Sequence, residues 1–202
     1  MRAAAAFALE PLCDFPFLTE AHRAAWLASL LTPLARYTFD GPAPLFALDA
    51  NNKGAGKTLL ADVIAEIVTG RAMPRTPQAL NETEEAKRIT AVALAAPRAV
   101  LIDNIAHPVG SSVFDALLTA TVWSDRVLGK SETIELPMFT VWYASGNNLT
   151  FKGDTGRRTL HVRLETDLEH PWERTNFKHD PLLTWVREQR AALVAALLTI
   201  LR

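Results

Sequence analysis

The chain has 202 residues, a net charge of −1 and 49% hydrophobic residues, which describes one well-filled core with an appendage and excludes a disordered chain. A near-neutral charge also excludes a protein that wraps duplex nucleic acid over its whole surface, so any such contact must be local or summed over several subunits. The single cysteine, Cys13, excludes an intrachain disulfide framework and fits the reducing cytoplasm, and no apolar run approaches the ~20 residues of a membrane span.

Residues 1–18 are Ala-rich and then punctuated by Pro11 and Pro16, with no clear element. The apolar stretch Ala3 to Leu9 after Arg2 is too short for an export signal and is closed by Glu10. Thr19 is placed to cap a helix carrying Trp26, Leu27, Leu30, Leu31 and Leu34 on one face, which Pro33 should kink or end. Trp26 at this spacing reads as core rather than as a ligand platform. Gly41-Pro42-Ala43-Pro44 then turns into Leu45-Phe46-Ala47-Leu48, an apolar run of strand length.

Asp49-Ala50-Asn51-Asn52-Lys53-Gly54-Ala55-Gly56-Lys57-Thr58 follows, and after it Leu59, Leu60, Val63, Ile64, Ile67 and Val68 recur at helical spacing. Strand, glycine-rich loop and helix form the context of a P-loop and argue against a chance Lys-Thr after a turn. Gly54 and Gly56 let backbone N–H groups turn toward phosphate oxygens with no Cβ in the way. The helix starting near Lys57 points its positive end at the same phosphates. In this reading Asn52, Lys53, Gly54, Ala55, Gly56, Lys57 and Thr58 hold ATP; Lys57 reaches the β- and γ-phosphates and Thr58 offers its hydroxyl to Mg²⁺. The usual pattern opens with Gly where this chain has Asn51; asparagine tolerates positive φ, so the turn is expected to form around it.

That helix should stop at Thr69-Gly70, with Gly as its C-cap. Residues 71–80, with Pro74 and Pro77, read as an irregular connection. Asn81 caps a third helix, with Glu84 at the capping-box position. It turns Ala86, Ile89, Val92 and Ala93 inward and leaves Glu85, Lys87 and Arg88 to solvent. Pro97 breaks it. Ala99-Val100-Leu101-Ile102-Asp103-Asn104 reads as a buried parallel strand whose tip, beside a P-loop, holds the water of Mg²⁺ through Asp103. Many such ATPases place Glu after this Asp, and Asn104 cannot act as a base. Either Asn104 only positions water, or Glu84 or Glu85 supplies the acid, or hydrolysis is slow.

Ser111-Ser112 is placed to cap a helix through Phe114, Leu117, Leu118 and Ala120. Arg126 to Leu136 reads as two short strands around Gly129-Lys130-Ser131. Such a tip is a surface turn in most proteins; in a ring it lines the channel and touches a DNA backbone. Met138 to Ala144 is strand-like in its β-branched and aromatic content and runs into Ser145-Gly146-Asn147-Asn148. Asn-Asn is a turn signal, but beside the Asp103 strand an amide here would sit near the γ-phosphate. Arg157 and Arg158 precede the alternating Leu160 to Leu164. Paired guanidinium groups suit either phosphate recognition from a neighbouring subunit or surface ion pairing. His161 and Arg163 fall on the exposed face of that strand. Residues 166–181, broken by Pro171 and Pro181, read as a loop, and His170 and His179 lack metal-ligand companions such as a Cys pair or a second spaced His, so no zinc site is expected. A last helix runs from about Leu182; its apolar end, Ala191 to Leu201, suits a partner contact or a chain cut from a longer protein.

In this order the motifs resemble the AAA+ ATPase core of superfamily 3 helicases, and more narrowly that of phage and prophage primase–helicase proteins. The resemblance covers roughly residues 20–200. It rests on Gly54-Ala55-Gly56-Lys57-Thr58, Leu101-Ile102-Asp103-Asn104, Trp123-Ser124-Asp125-Arg126-Val127-Leu128-Gly129, Gly146-Asn147-Asn148-Leu149 and Gly153-Asp154-Thr155-Gly156-Arg157-Arg158. It implies an α/β P-loop fold with a central, mostly parallel sheet between helices: a helical lead-in (1–40), an ATPase core (41–165), and a loop with a terminal helix (166–202). It implies that Lys57 and Thr58 are Walker A, Asp103 Walker B and Asn147 the γ-phosphate sensor. Arg157 or Arg158 would be the arginine finger acting on the next subunit's ATP, and Lys130 would stand on the channel hairpin. Implied partners are further copies in a hexameric ring, single-stranded DNA, and a fused or separate primase or origin-binding domain. The rival outputs are a helicase loader or packaging ATPase, a nucleotide-dependent assembly module with weak hydrolysis, and a small-molecule kinase.

Overall fold

The computed structural model of the chain describes residues 1–126 and 133–202. Its helices are α1 (Arg2–Ala8), α2 (Glu20–Ala35), α3 (Lys57–Thr69), α4 (Glu82–Ala95), α5 (Ser112–Leu117) and α6 (Leu182–Leu201). Its strands are β1 (Leu45–Ala50), β2 (Arg75–Pro77), β3 (Ala99–Ile105), β4 (Val122–Arg126), β5 (Thr133–Pro137), β6 (Val141–Asn147) and β7 (Thr159–Leu164). Five strands form one sheet in the order β2-β3-β6-β1-β7, and every pairing in it is parallel. Parallel strands are covered on both faces, which is why β1 is buried at all six positions and reads as an unbroken apolar run up to Asp49.

Alternation along β3 and β6 divides the core in two. Leu101 and Tyr143 face α2, α3 and α6, with Trp26, Leu30, Leu60, Ile64 and Leu193 around them. Val100, Ile102, Trp142 and Ala144 face the other way, against Ile89 and Ala93 of α4 and Phe114 of α5. The antiparallel hairpin β4–β5 lies on this second side, held to α4 by the Trp123 indole, which donates to Thr90 Oγ1 at 2.8 Å. Lys130 lies outside the described residues.

The helix ends follow local chemistry. Asn81 accepts from the Glu84 amide at 2.9 Å and Ser111 from the Phe114 amide at 2.9 Å. Gly70, in the left-handed region at φ 68°, closes α3.

Several expectations change. Residues 1–18 contain α1, whose Phe7 packs edge-on to Trp185 of α6 at 6.3 Å. Residues 71–80 are not wholly irregular: Arg75–Pro77 forms β2. Two prolines are tolerated there because β2 is an edge strand, bonded on one side only. The helix begun at Ser112 ends at Leu117, short of Ala120. The apolar α6 is partly covered by α1 and α3, while Leu198 and Leu201 remain exposed. No helix among the described residues is long and apolar enough to cross a membrane.

Pro33 does not end α2, which runs on to Ala35. A proline there leaves the Ser29 carbonyl without its helical donor. The buried Tyr143 hydroxyl, reaching across from β6, donates to that carbonyl at 2.5 Å. Tyr143→Phe is expected to lower stability in urea unfolding by about 1–3 kcal/mol, since it strands a buried acceptor. Adding Pro33→Ala, which restores a backbone N–H at the right position, should recover part of the loss. A Phe variant as stable as wild type would refute this pairing.

Candidate functional site

The sheet order sets the C-terminal ends of β1, β6 and β3 side by side, where ligands bind in open parallel sheets. Between β1 and α3 the chain wraps the glycine-rich loop. Gly54 and Gly56 take φ values of 75° and 96°, in the left-handed region. Both also lie under aromatic rings: a Cβ on Gly54 would stand 2.6 Å from the Trp172 ring, and one on Gly56 2.7 Å from that of Phe15. The Lys57 ammonium donates to Asn147 Oδ1 at 2.6 Å and lies 3.5 Å from the Asn52 carbonyl. Burial pushes Lys57 below its ordinary value, while Asp49 and Asp103 pull it back. A half-buried cation with no carboxylate in ion-pair contact among the described residues suits an incoming anion. So do the open N–H groups of the first turn of α3. The Thr58 hydroxyl has no hydrogen-bond partner among the described residues.

Asp103 stands two strands away from the loop, at the end of β3. Its Oδ1 accepts from the Ser145 hydroxyl of β6 and from the Asn104 amide at 3.0 Å, and its Oδ2 lies 3.5 Å from Arg75 Nη1. Arg75 is anchored on Asp62 of α3 by bonds of 2.7 and 2.9 Å. Asn104 is exposed and left-handed at φ 57°, where the β3–β6 register shifts. The expected substitute acids do not meet it. Glu84 pairs with Lys87 at 2.8 Å, and Glu85 bonds Ser111 on α4's side of the sheet, whereas Asp103 bonds through Arg75 toward α3.

Sequence reasoning missed the group that joins these parts. Asp49, 1% exposed, accepts from its neighbours' amides, Ala50 at 2.8 Å and Leu149 at 3.1 Å, and from Arg163 Nη1 at 2.5 Å. Arg163 also donates to Asn148 Oδ1 at 3.1 Å. Arg163 is therefore not merely on an exposed face, and His161 is half-buried against Phe151, ring centroids 4.9 Å apart. Asn51 is not in the left-handed region either, being absent from the positive-φ residues Ala96, Asn104 and Asn148. Its amide instead pairs with the backbone of Thr166, donating at 2.9 Å and accepting at 3.1 Å. The available hint was an acid ending an apolar strand, with an arginine at an alternate position of a later one.

Arg157 and Arg158 lie elsewhere. They precede β7, whose first residue pairs with Leu45 at the start of β1, about 16 Å below the loop at ~3.3 Å per residue. Arg158 is held between Asp154 at 3.4 Å and Asp115 at 3.7 Å. Arg157 is 85% exposed, and among the described residues its one ion-pair partner is Asp154, at 3.6 Å.

Beside the loop, Phe15, Leu59, Trp172, Phe177 and Leu182 line a cavity of about 290 Å³. His179 does find companions in space: Glu10 and Cys13 offer ligand atoms within 4.8 Å of it and of each other. There, however, the Lys178 ammonium already holds Glu10 at 2.5 Å.

No family model matches the chain, and no curated protein does. Solved structures match almost its whole length. The apo C-terminal region of NrS-1 superposes with a TM-score of 0.63 at 11% identity, covering 98% of this chain and 45% of that one. The JCV helicase superposes with a TM-score of 0.51 at 10% identity, covering 97% of this chain and 60% of that one. The chain thus spans about half the length of the structures it matches. Parallel sheet and glycine-rich loop define a P-loop NTPase fold. Within that class the chain shares its fold with the NrS-1 C-terminal region and the JCV helicase.

Asp49→Ala is expected to destabilise the protein by about 3 kcal/mol in urea unfolding, because it leaves two amides without their acceptor and Arg163 with only Asn148 and, at 3.9 Å, Glu165 among the described residues. Asp49→Asn, which keeps an acceptor for those amides, should lose less. An alanine variant within about 1 kcal/mol of wild type would remove Asp49 from this role.

Proposed function

We propose that this chain is the ATP-binding and hydrolysing motor domain of a ring-forming DNA helicase serving phage or mobile-element replication in the cytoplasm. One observation carries the reading: Lys57 of the loop and Asn147 of β6 are in direct contact at 2.6 Å, with Asp103 at the tip of the next strand. In phosphoryl transfer the protein's work is positioning and charge neutralisation. The loop amides and Lys57 bind the phosphates. Asn147, drawn from Lys57 toward the γ-phosphate, reports its presence. Thr58 and Asp103 would hold Mg²⁺, which neutralises phosphate charge when bound. The aromatic cavity beside Gly54 takes the base, stacked against Phe15 or Trp172. Arg157 suits the finger better than Arg158, because Arg158 is committed to Asp115 and Asp154 within its own chain. Asn104 orients water without taking its proton. The ring is a hexamer of this chain, threaded by single-stranded DNA that Lys130 touches. A primase or origin-binding domain is fused or recruited.

A second reading rests on Asn104 itself. No carboxylate follows Asp103, and neither Glu84 nor Glu85 replaces it, which suits an assembly module with ATP as interface glue and slow turnover.

Two measurements separate the readings. ATP is expected to raise the melting temperature of wild type. Lys57→Met should abolish that rise without lowering the nucleotide-free melting temperature, because it removes a desolvated cation. Turnover should rise on adding single-stranded DNA. Arg157→Ala should cut it on the order of a thousandfold with ATP affinity kept, whereas Arg158→Ala should also lower stability. ATP binding with no turnover at any protein concentration would leave the assembly module as the better account.

A further inference from the structure

The guanidinium of Arg75 stands between the helix that follows the glycine-rich loop and the tip of β3. The edge strand β2 brings it there: Arg75 opens that strand opposite Leu101, and Pro77 comes level with Asp103. One nitrogen, Nη2, spans both oxygens of Asp62 at 2.7 and 2.9 Å. The other, Nη1, lies 3.5 Å from Asp103 Oδ2, an ion pair without a hydrogen bond. Asp62 follows Thr58 by four residues on α3, so the two side chains share one face of that helix. Thr58, Asp62, Arg75 and Asp103 therefore form one cluster.

Its oxygens suit a hard divalent cation. Asp103 is oriented without help from Arg75: Oδ1 is fixed by the Ser145 hydroxyl and by the Asn104 amide at 3.0 Å. That leaves Oδ2, like the Thr58 hydroxyl, with no hydrogen bond among the described residues. One or two such protein oxygens, completed by water and phosphate, are what Mg²⁺ takes. Charge is where the set falls short. Lys57 and Arg75 balance Asp62 and Asp103 one for one, and Asp103 already acts across the site on Lys57. A dication arriving alone meets no net negative charge, and finds a cation 3.5 Å from the oxygen it needs. A dication arriving on a triphosphate brings its own counter-charge and needs only the two free oxygens.

We propose that Arg75 is a positioning residue that sets the metal affinity of this site: shared between Asp62 and Asp103, it keeps a divalent cation from settling there before nucleotide is bound. Without Arg75, Asp62 becomes a second carboxylate for the ion, and Asp103 no longer shares its charge. The metal then binds ahead of nucleotide, where wild type takes the two together. The proposal rests on the ATP-binding reading and adds the order in which metal and nucleotide arrive.

The test is Mn²⁺ titration of the whole chain without nucleotide, read by the electron paramagnetic resonance signal of the free ion. Arg75→Met is expected to bind Mn²⁺ about tenfold more tightly than wild type, the effect of one unit charge on a dication several ångströms away in a solvated site. Arg75→Lys, which keeps the charge, should stay close to wild type. Adding Asp103→Asn to Arg75→Met should abolish the gain, which places it at this site. A merely structural Arg75 would give the opposite sign, because a loosened Asp103 holds metal less well. Melting curves identify a Met variant that has lost its fold, and Arg75→Gln then carries the comparison. A neutral variant that binds Mn²⁺ no more tightly than wild type overturns the proposal, as does a gain equally present in Arg75→Lys or one that survives Asp103→Asn. A fluorescent ATP analogue with Mg²⁺ follows the glycine-rich loop in separate samples. Its failure to bind wild type would count against the nucleotide reading alone, since the Mn²⁺ comparison uses no nucleotide.

Discussion

A carboxylate that folding removes from water must find a partner for nearly every lone pair, and Asp49 does so at the mouth of the glycine-rich loop. Its oxygens meet the amides of Ala50 and Leu149 and the guanidinium of Arg163. Those partners come from β1, from the turn after β6 and from β7, so a slip of any one of them would strand a buried charge. Asn147, the last residue of β6 before that turn, is where the strand meets Lys57. One buried ion pair therefore holds register across three strands and fixes the angle at which the loop leaves the sheet. The short bridge from the Tyr143 hydroxyl to the Ser29 carbonyl does similar work underneath, tying α2 to the same β6 through an acceptor that Pro33 left open.

The two faces of the sheet serve different ends. On one, α1, α2, α3 and α6 pack around the strand–loop–helix unit, and the rings of Phe15 and Trp172 close over glycines that no larger residue could replace without moving them. On the other, α4, α5 and the hairpin surround Trp142 beside an open cleft. Arg75 links the two active-strand neighbourhoods from the edge, one hand on Asp62 of α3 and the other near Asp103.

Much of this was legible beforehand because short-range chemistry wrote it. The apolar run to Leu48, the glycines at 54 and 56 and the cap at Asn81 each follow from backbone requirements within a few residues. Asp103 follows directly on the apolar run of β3, and Asn147 closes β6 after its own apolar run has ended at Ala144. What escaped depends on contacts across many residues. Nothing near Arg163 reveals that Asp49 lies beside it, so alternation alone put it outside. Asn51 was given a left-handed turn because it stands at a glycine position, yet the Thr166 backbone, 115 residues on, uses its side chain instead. β2 hid behind two prolines whose missing amides cost little at a sheet edge. His179 looked solitary because Glu10 and Cys13 approach only after the ends of the chain pack together.

The arginine pair stands at the foot of β7 and the phosphate loop at the head of β1, its direct neighbour. A contact from one copy's Arg157 to another's loop would join the foot of one sheet to the head of the next, and in a proposed ring it runs in a single direction, head to tail. Where no two-fold axis makes that contact reciprocal, an open row ends with one arginine unused and one loop unserved. A row would hold one fewer complete site than it has copies; only closure makes the two numbers equal, and a lone copy has none. On the proposed ring reading, the length of one strand would make specific activity a measure of how completely the circle is closed.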